Sequence, residues 1–251
     1  MQFWSLSGLT PYENARLIQL KLLELRAADQ IPDTVLFLEH EPVITQGRGL
    51  QFTGTPRPRH MPVPIQLPQG VSFAESERGG DLTFHGPGQL VIYPIVKLDG
   101  NGFGPNHDIG GFLRKFEQVF IDELAARGLQ AESRENAAGV WVGNRKIASM
   151  GIAIRKWVTY HGMAVNCVND LKYFQLISPC GFSPEVMTRM SDLLNDYDSK
   201  NWRTNLEQAF ARRMNAQSGA GNAGHSPEIR VLTSEQAFAE AMASDPGIQL
   251  A

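Results

Sequence analysis

The chain has 251 residues, 42% hydrophobic and 20% charged, with 23 Lys and Arg against 26 Asp and Glu for a net charge of −3. That size builds one good core without staples, the mild acidity leaves no footprint for nucleic-acid binding, and no apolar run approaches the roughly 20 residues of a membrane helix. Two cysteines, Cys167 and Cys180, with no C-x-x-C or Cys/His cluster, exclude a disulfide framework and a zinc finger and point to a reducing cytoplasm, and MQFWSLSGLTPYE lacks the layout of a signal peptide.

The first predicted element is a helix. Thr10, Pro11 and Glu13 fit an N-cap, a first-turn proline and a capping glutamate, and Ala15, Ile18, Leu22 and Leu25 recur at helical spacing behind them. A dense apolar strand follows at 34–39 (TVLFLE), then a turn at Glu41 and Pro42 into VITQG. Residues 54–70 hold five prolines and are a loop. Beyond them DLTFH, Gly86-Pro87-Gly88 and QLVIYPI spell strand, turn, strand. A second helix spans 108–127, with Ile109, Phe112, Phe116, Val119, Phe120 and Leu124 on one side and Gly128 after its end. GVWV, a turn at 143–145 and KIASMGIAIRKWVTYHGMAVNCV form a strand-rich stretch. Ser183, Pro184 and Glu185 open a capped helix, another covers 205–214, and 216–228 is a Gly/Ala/Ser linker before a short amphipathic helix at 234–243. Helices interleaved with hairpin-type strands give an α+β, or mixed α/β, fold.

Absent motifs narrow the chemistry. There is no phosphate-cradling G-x-x-x-x-G-K-[ST], no G-x-S-x-G elbow and no H-E-x-x-H, and GNGFG and HGPG miss the dinucleotide-binding spacing. The six histidines (40, 60, 85, 107, 161, 225) are too scattered to suggest a metal site.

Four stretches use residues that a scaffold does not need. In RGGDLTFHGPGQ two glycine clusters flank a short strand; they are either tight turns around a hairpin or places where backbone N–H groups approach a ligand. Lys146 starts a predicted strand, as a solvated edge lysine or as a functional one. In ISPCG, Cys180 sits in a loop just before the helix expected at Pro184, where backbone dipoles favour a thiolate, although most free cysteines are buried and structural. Cys167 fits that structural role. Finally, YHGMAVN puts a histidine and a glycine inside a strand, as a bulge with a surface histidine or as a close approach to a ligand.

EHEPVITQGR, RGGDLTFHGPGQLVIYPI, GVWVGNRKIASMGI, HGMAVN and DLKYFQLISPCG, in that order over residues 35–193, resemble the lipoyl(octanoyl) transferase family, the octanoyl-[acyl-carrier-protein]:protein N-octanoyltransferases also called lipoate-protein ligase B. The resemblance implies the mixed-sheet fold shared with biotin protein ligases and lipoate ligases, a catalytic domain at 1–215, and a linker and variable tail at 216–251 without a family counterpart. It implies that Cys180 is the acyl-thioester nucleophile and that Lys146 lowers its pKa and exchanges protons with it. Substrate-binding segments are implied at Arg78, Gly79, Gly80, Asp81, Leu82, Thr83, Phe84 and His85, at Ser149, Met150 and Gly151, and at Gly162, Met163 and Ala164. Met150 stands where a branched aliphatic is usual.

By the same resemblance, octanoyl-acyl carrier protein is the donor. The acceptors are lysines of the lipoyl domains of 2-oxoacid dehydrogenase complexes and of the glycine cleavage H protein, with no metal, nucleotide or redox cofactor, no nucleic acid and no membrane. Backbone around Gly79, Gly80, Gly151 and Gly162 is the expected source of oxyanion donors. An acidic carrier needs a local basic patch on this acidic chain, for which Arg145, Arg155, Lys156 and Lys172 are candidates. Two other functions stand beside this one: an ATP-using lipoate or biotin ligase on the same fold, which needs no cysteine, and a non-catalytic binder of acylated carriers.

Overall fold

The chain opens with a strand that its residue pattern hides. In the computed structural model, which describes residues 1–49, 67–135, 137–177, 183–195, 197–198, 200–218 and 227–244, β1 (Gln2–Thr10) sends Phe3 into one core and Trp4 and Leu6 into another. With both faces covered, the polar alternation of a half-exposed strand is missing. Thr10 closes β1 instead of capping the next helix. Its carbonyl accepts from the Glu41 N–H and from His40 Nδ1, and its hydroxyl has no partner among the described residues. The expected capping box is therefore not formed. Helix α1 (Tyr12–Ala27) starts at Pro11, whose φ of −54° suits a helix entry, without a side-chain cap.

Strands β2 (Thr34–His40), β3 (Val43–Gln46), β4 (Ser72–Glu75), β5 (Leu82–His85) and β6 (Gln89–Ile95) precede helix α2 (Ile109–Ala126). The Asp108 side chain caps α2 by accepting the Gly111 N–H at 2.8 Å. Strands β7 (Glu132–Ser133), β8 (Gly139–Val142), β9 (Arg145–Arg155) and β10 (Val158–Asn166) follow, then helices α3 (Met190–Leu193) and α4 (Trp202–Gln217), strand β11 (Ile229–Leu232) and helix α5 (Ser234–Ala243).

Eight strands form one mixed sheet in the order β11-β1-β2-β6-β10-β9-β8-β7. The three at one edge are parallel and the remaining pairs antiparallel. Helices α2 and α4 cover one face through Phe112, Phe116, Phe120 and Phe210; α1 and α5 cover the other through Ile18, Leu22, Ala237 and Ala241. Each fully buried phenylalanine contributes roughly 1.5–3 kcal/mol by transfer from water. A three-stranded sheet, β4-β3-β5, has its own small core of Ile44, Leu82, Phe84, Phe174, Ile177 and Met187.

Three expectations change. First, the segments on either side of Gly86-Pro87-Gly88 are strands, but they are no hairpin: β5 pairs with β3 in the small sheet, whereas β6 runs between β2 and β10 in the large one. The corner between the sheets is pinned at Gly88. Its carbonyl accepts N–H groups from Cys167, Val168 and Asn169, and its own N–H reaches Glu39 at 2.7 Å. A side chain there would need φ of +83° and a Cβ 2.7 Å from the Asn169 nitrogen. Second, the helix expected from Ser183 is a three-residue 3-10 turn, Pro184–Val186. Met187 then forms a parallel bridge to Lys146, and the Thr188 N–H reaches the Lys146 carbonyl at 2.9 Å, so an extended contact with β9 ends the turn. Third, the segment beyond the linker docks on the body. Strand β11 pairs in parallel with β1 from Phe3 with Ile229 to Leu6 with Leu232, and α5 begins with a reciprocal Thr233 and Gln236 capping box.

Candidate active site

A small cavity lies where the small sheet meets β9 and β10. Arg78, Thr83, His85, Ser149, Met150, Gly151, Gly162, Met163 and Ala164 line it, together with Tyr12, Val91, Tyr93 and His161. Strand alternation decides which residues of β5 take part: Thr83 and His85 face the cavity, whereas Leu82 and Phe84 enter the small core, where Phe84 stacks on Tyr173 at 4.6 Å between centroids. Gly79, Gly80 and Asp81 form the turn above it and are not in its walls. Val91, Met150, Met163 and Ala164 make an apolar side suited to an acyl chain.

Arg78 ties that turn down. Its guanidinium donates to the Thr45 carbonyl and hydroxyl at 2.8 and 2.9 Å, to the Asp81 carbonyl at 2.7 Å and to the Gly79 carbonyl at 3.0 Å. The glycines answer a question left open by the sequence. A Cβ on Gly151 would stand 2.8 Å from the Gly79 carbonyl oxygen, and one on Gly162 would collide with the Ile92 carbonyl and lie 2.7 Å from Pro94 Cδ. The chain's own backbone requires these bare positions. The Gly79 N–H is already given to the Ile152 carbonyl at 2.9 Å, so it is not an oxyanion donor.

Beside the Arg78 guanidinium, the polar side of the cavity is built from imidazoles and phenols. His40 Nδ1 donates to the Thr10 carbonyl, and its Nε2 accepts from the Tyr93 hydroxyl at 2.8 Å. Burial pushes His40 down to about 4 and the Tyr93 phenol well above its ordinary value. His85, whose ring lies 5.5 Å from that of His40, is pushed well below its ordinary value by burial and by the neighbouring His40. His161 is also lowered by burial, although Glu77, 3.3 Å from its Nε2, opposes this. Glu77 in turn is held low by His161 and Arg16.

Lys146 is not a solvated edge residue. It is 3% exposed on β9, with its Nζ 5.7 Å from the centre of the Trp141 ring and its Cε where a side chain on Gly139 would intrude. The Gly139 N–H is bound by Glu117, a carboxylate that burial raises and Lys146 opposes. Cys180 lies outside the described residues. Cys167, just past β10, is fully buried, and burial pushes its thiol up to about 12, as expected of a structural cysteine.

The lipoyl protein ligase A/B catalytic domain model matches residues 10–211. Among similar proteins, the octanoyltransferase of Syntrophobacter fumaroxidans is 39% identical over 188 residues, 74% of this chain and 78% of that protein. That of Gloeobacter violaceus is 42% identical over 180 residues, 71% and 75% respectively. The chain belongs to the octanoyltransferase family. Its fold is that of the lipoate ligases. A lipoate-protein ligase A bound with ATP gives a TM-score of 0.68 at 16% identity, over 99% of this chain and 97% of that one. A bipartite lipoate protein ligase from Thermoplasma acidophilum gives 0.67 at 17%, over 97% and 92%.

Within this octanoyltransferase-family site, Tyr12, Val91 and Tyr93 carry no motif of their own in the sequence, and His161 stands out there only as a histidine inside a strand. The available signal was a hydrogen-bonding side chain set in otherwise apolar strands, as in QLVIYPI. Of the four candidate docking cations, Arg155 and Lys156 both pair with Glu24, and Lys172 pairs with Asp170 at 2.6 Å, which leaves little unneutralised basic surface there.

Proposed function

We propose that this octanoyltransferase-family chain, an acyltransferase of protein lipoylation acting on a lipoyl-domain protein, takes its octanoyl group from acyl carrier protein and passes it through Cys180. The Cys180 thiolate adds to the carbonyl carbon of the carrier thioester. The resulting oxyanion collapses and breaks the bond to the phosphopantetheine sulfur, which leaves as the thiol by taking a proton from the Lys146 ammonium and so leaves Lys146 as the free amine. The acceptor lysine amine then adds to the Cys180 thioester, the Cys180 sulfur leaves, and the amine's proton passes to Lys146. Acceptors are the lipoyl domains of 2-oxoacid dehydrogenase complexes and the glycine cleavage H protein, in the cytoplasm.

The observation that carries this reading is the burial of Lys146 on β9, where Met187, seven residues after Cys180, bridges to it. In so desolvated a setting an ammonium and a thiolate stabilise each other, which is the pairing this reading assigns to Lys146 and Cys180. Substrate contacts fall to Arg78, Thr83 and His85, to Ser149, Met150 and Gly151, and to Gly162, Met163 and Ala164 around one cavity. The chemistry resides in residues 1–215. Intact mass after mixing the protein with octanoyl-acyl carrier protein, without ATP or magnesium, tests the mechanism. One octanoyl adduct, absent from Cys180→Ser, is expected. Strict dependence on ATP with free octanoate as donor would overturn it in favour of a ligase.

A further inference from the structure

A chain of amide groups fixes the tautomer of His85. Asn166 Nδ2 donates to the Thr188 carbonyl at 3.0 Å, so its Oδ1 is the acceptor for Gln89 Nε2, at 3.0 Å, and for Asn169 Nδ2, at 3.1 Å. Gln89 Nε2 also donates to the Phe84 carbonyl at 3.1 Å. Two backbone carbonyls, which can only accept, therefore orient both amides. Gln89 Oε1, 2.8 Å from His85 Nδ1, is left as an acceptor, and the proton of the neutral ring must sit on Nδ1. His85 Nε2 then carries a lone pair and makes no hydrogen bond among the described residues. On the same face of β5, the Thr83 hydroxyl is buried and has no partner among them either.

We infer that Gln89 and Asn166 are positioning residues that hold His85 Nε2 as the hydrogen-bond acceptor, beside the Thr83 hydroxyl, for the N–H groups of the attacking lysine amine. This rests on the transfer proposed above. As the amine nitrogen bonds to the acyl carbon its N–H groups become acidic, so an acceptor fixed in advance gains most in the transition state. The two amides also connect the cavity to Lys146, because Thr188, bound through its carbonyl by Asn166, donates its own N–H to the Lys146 carbonyl.

The test separates the half-reactions. Wild type, His85→Gln, His85→Asn, Gln89→Met and Thr83→Val are loaded with octanoyl-acyl carrier protein and then mixed with a purified lipoyl domain, and the adduct is followed by mass in both steps. Glutamine keeps an acceptor near the Nε2 position; asparagine keeps only a donor near Nδ1. Discharge to the lipoyl domain should fall about tenfold further than loading in His85→Asn and Gln89→Met, the worth of one hydrogen bond. It should recover in His85→Gln, and Thr83→Val should show a smaller loss of the same kind. Nitrogen-15 spectra of labelled histidine should place the His85 proton on Nδ1 in wild type and redistribute it towards Nε2 in Gln89→Met. A proton on Nε2 in wild type overturns the inference, as do equal losses in loading and discharge, which would also be the mark of an amide in the donor's arm as the group received. If wild type forms no adduct, the thioester mechanism fails and this inference with it. If it forms one and every variant discharges normally, only this inference fails.

Discussion

Pro94 of β6 stands opposite His161 of β10, in the register set on either side by Met163 with Ile92 and by Val158 with Lys97. Proline has no N–H to give, and His161 turns its own N–H away to Gln19 of α1, at 2.7 Å, by adopting a φ of +56°. The ladder is patched by the Thr159 hydroxyl, which donates to the Pro94 carbonyl at 2.6 Å. A proline in a central strand thus opens the sheet where the cavity needs an imidazole.

Gln19→Ala leaves the His161 N–H buried without an acceptor and should lower stability by about 1–3 kcal/mol. Glycine at 161 should be more stable than alanine by about 1 kcal/mol, because a Cβ is disfavoured at positive φ. Urea unfolding of the three variants checks both; equal stability of His161→Gly and His161→Ala would remove the strain argument.

The two thiols should separate chemically. Cys167 is buried and its thiol sits near 12, so iodoacetamide at pH 7–8 should add one label, on Cys180. Cys167→Ser should retain most transfer and Cys180→Ser almost none. A second label on the folded protein, located at Cys167 by peptide mass, would contradict its burial.

Lys146 is expected to hold Cys180 as a thiolate. Lys146→Ala should slow alkylation of Cys180 near neutral pH and move its profile upward, whereas Lys146→Arg restores charge without a base and should recover alkylation further than transfer. The same Lys146→Ala change removes the cation that lowers the Glu117 pKa, so part of any stability loss will depend on pH. Superimposable alkylation profiles for all three proteins would dissolve the pairing.

Acid should weaken the fold before carboxylates titrate. His40 is near 4 in the folded chain and near 6.5 unfolded, so below 6.5 the unfolded state binds more protons and stability falls with pH. Between pH 7 and 5 this one group removes about 2 kcal/mol, and His85, depressed in the same direction, adds to it. Glu77, depressed below its unfolded value, keeps its contribution until lower pH. Urea midpoints across that range should drop in wild type and drop less in His40→Gln.

Deleting residues 218–251 removes β11 and α5. Stability should fall by about 2–4 kcal/mol, since Ile229 and Leu232 no longer pack and the Trp4 ring loses the Arg230 guanidinium, 5.9 Å from its centre. Transfer per folded molecule should stay close to that of the full chain, because no residue of the cavity lies in that segment. A folded but inactive truncation would give the tail a part in the reaction.

Much of this was legible where the signal is local. Asp108, the phenylalanines of α2 and Gly128 mark one helix by spacing alone, and β8 and β9 follow from the turn at 143–145 between apolar runs. What escaped depends on partners distant in sequence. Thr10 reads as a cap until β2 claims its carbonyl, and β5 and β6 read as a hairpin until β3 takes one and β2 and β10 the other. Gly151 and Gly162 look poised for a ligand, yet the bodies that approach them are Gly79 and Ile92. The resemblance named the segments around the cavity; Tyr12 and Tyr93 joined them only through the crossing of α1 and β6.

In the large sheet, β1 lies between β2 and β11. As the chain leaves the ribosome, β2 is available almost at once, but the other neighbour of β1, β11, emerges only after β3 to β10. Until then β1 presents an open row of N–H and C=O groups to any passing extended chain. Closing that edge in parallel is a contact between sequence positions more than two hundred residues apart, the sort that slows a fold to completion. The exposure ends when β11 appears, so nascent chains stalled before residue 229 are the species in which a holdase chaperone would find β1 uncovered.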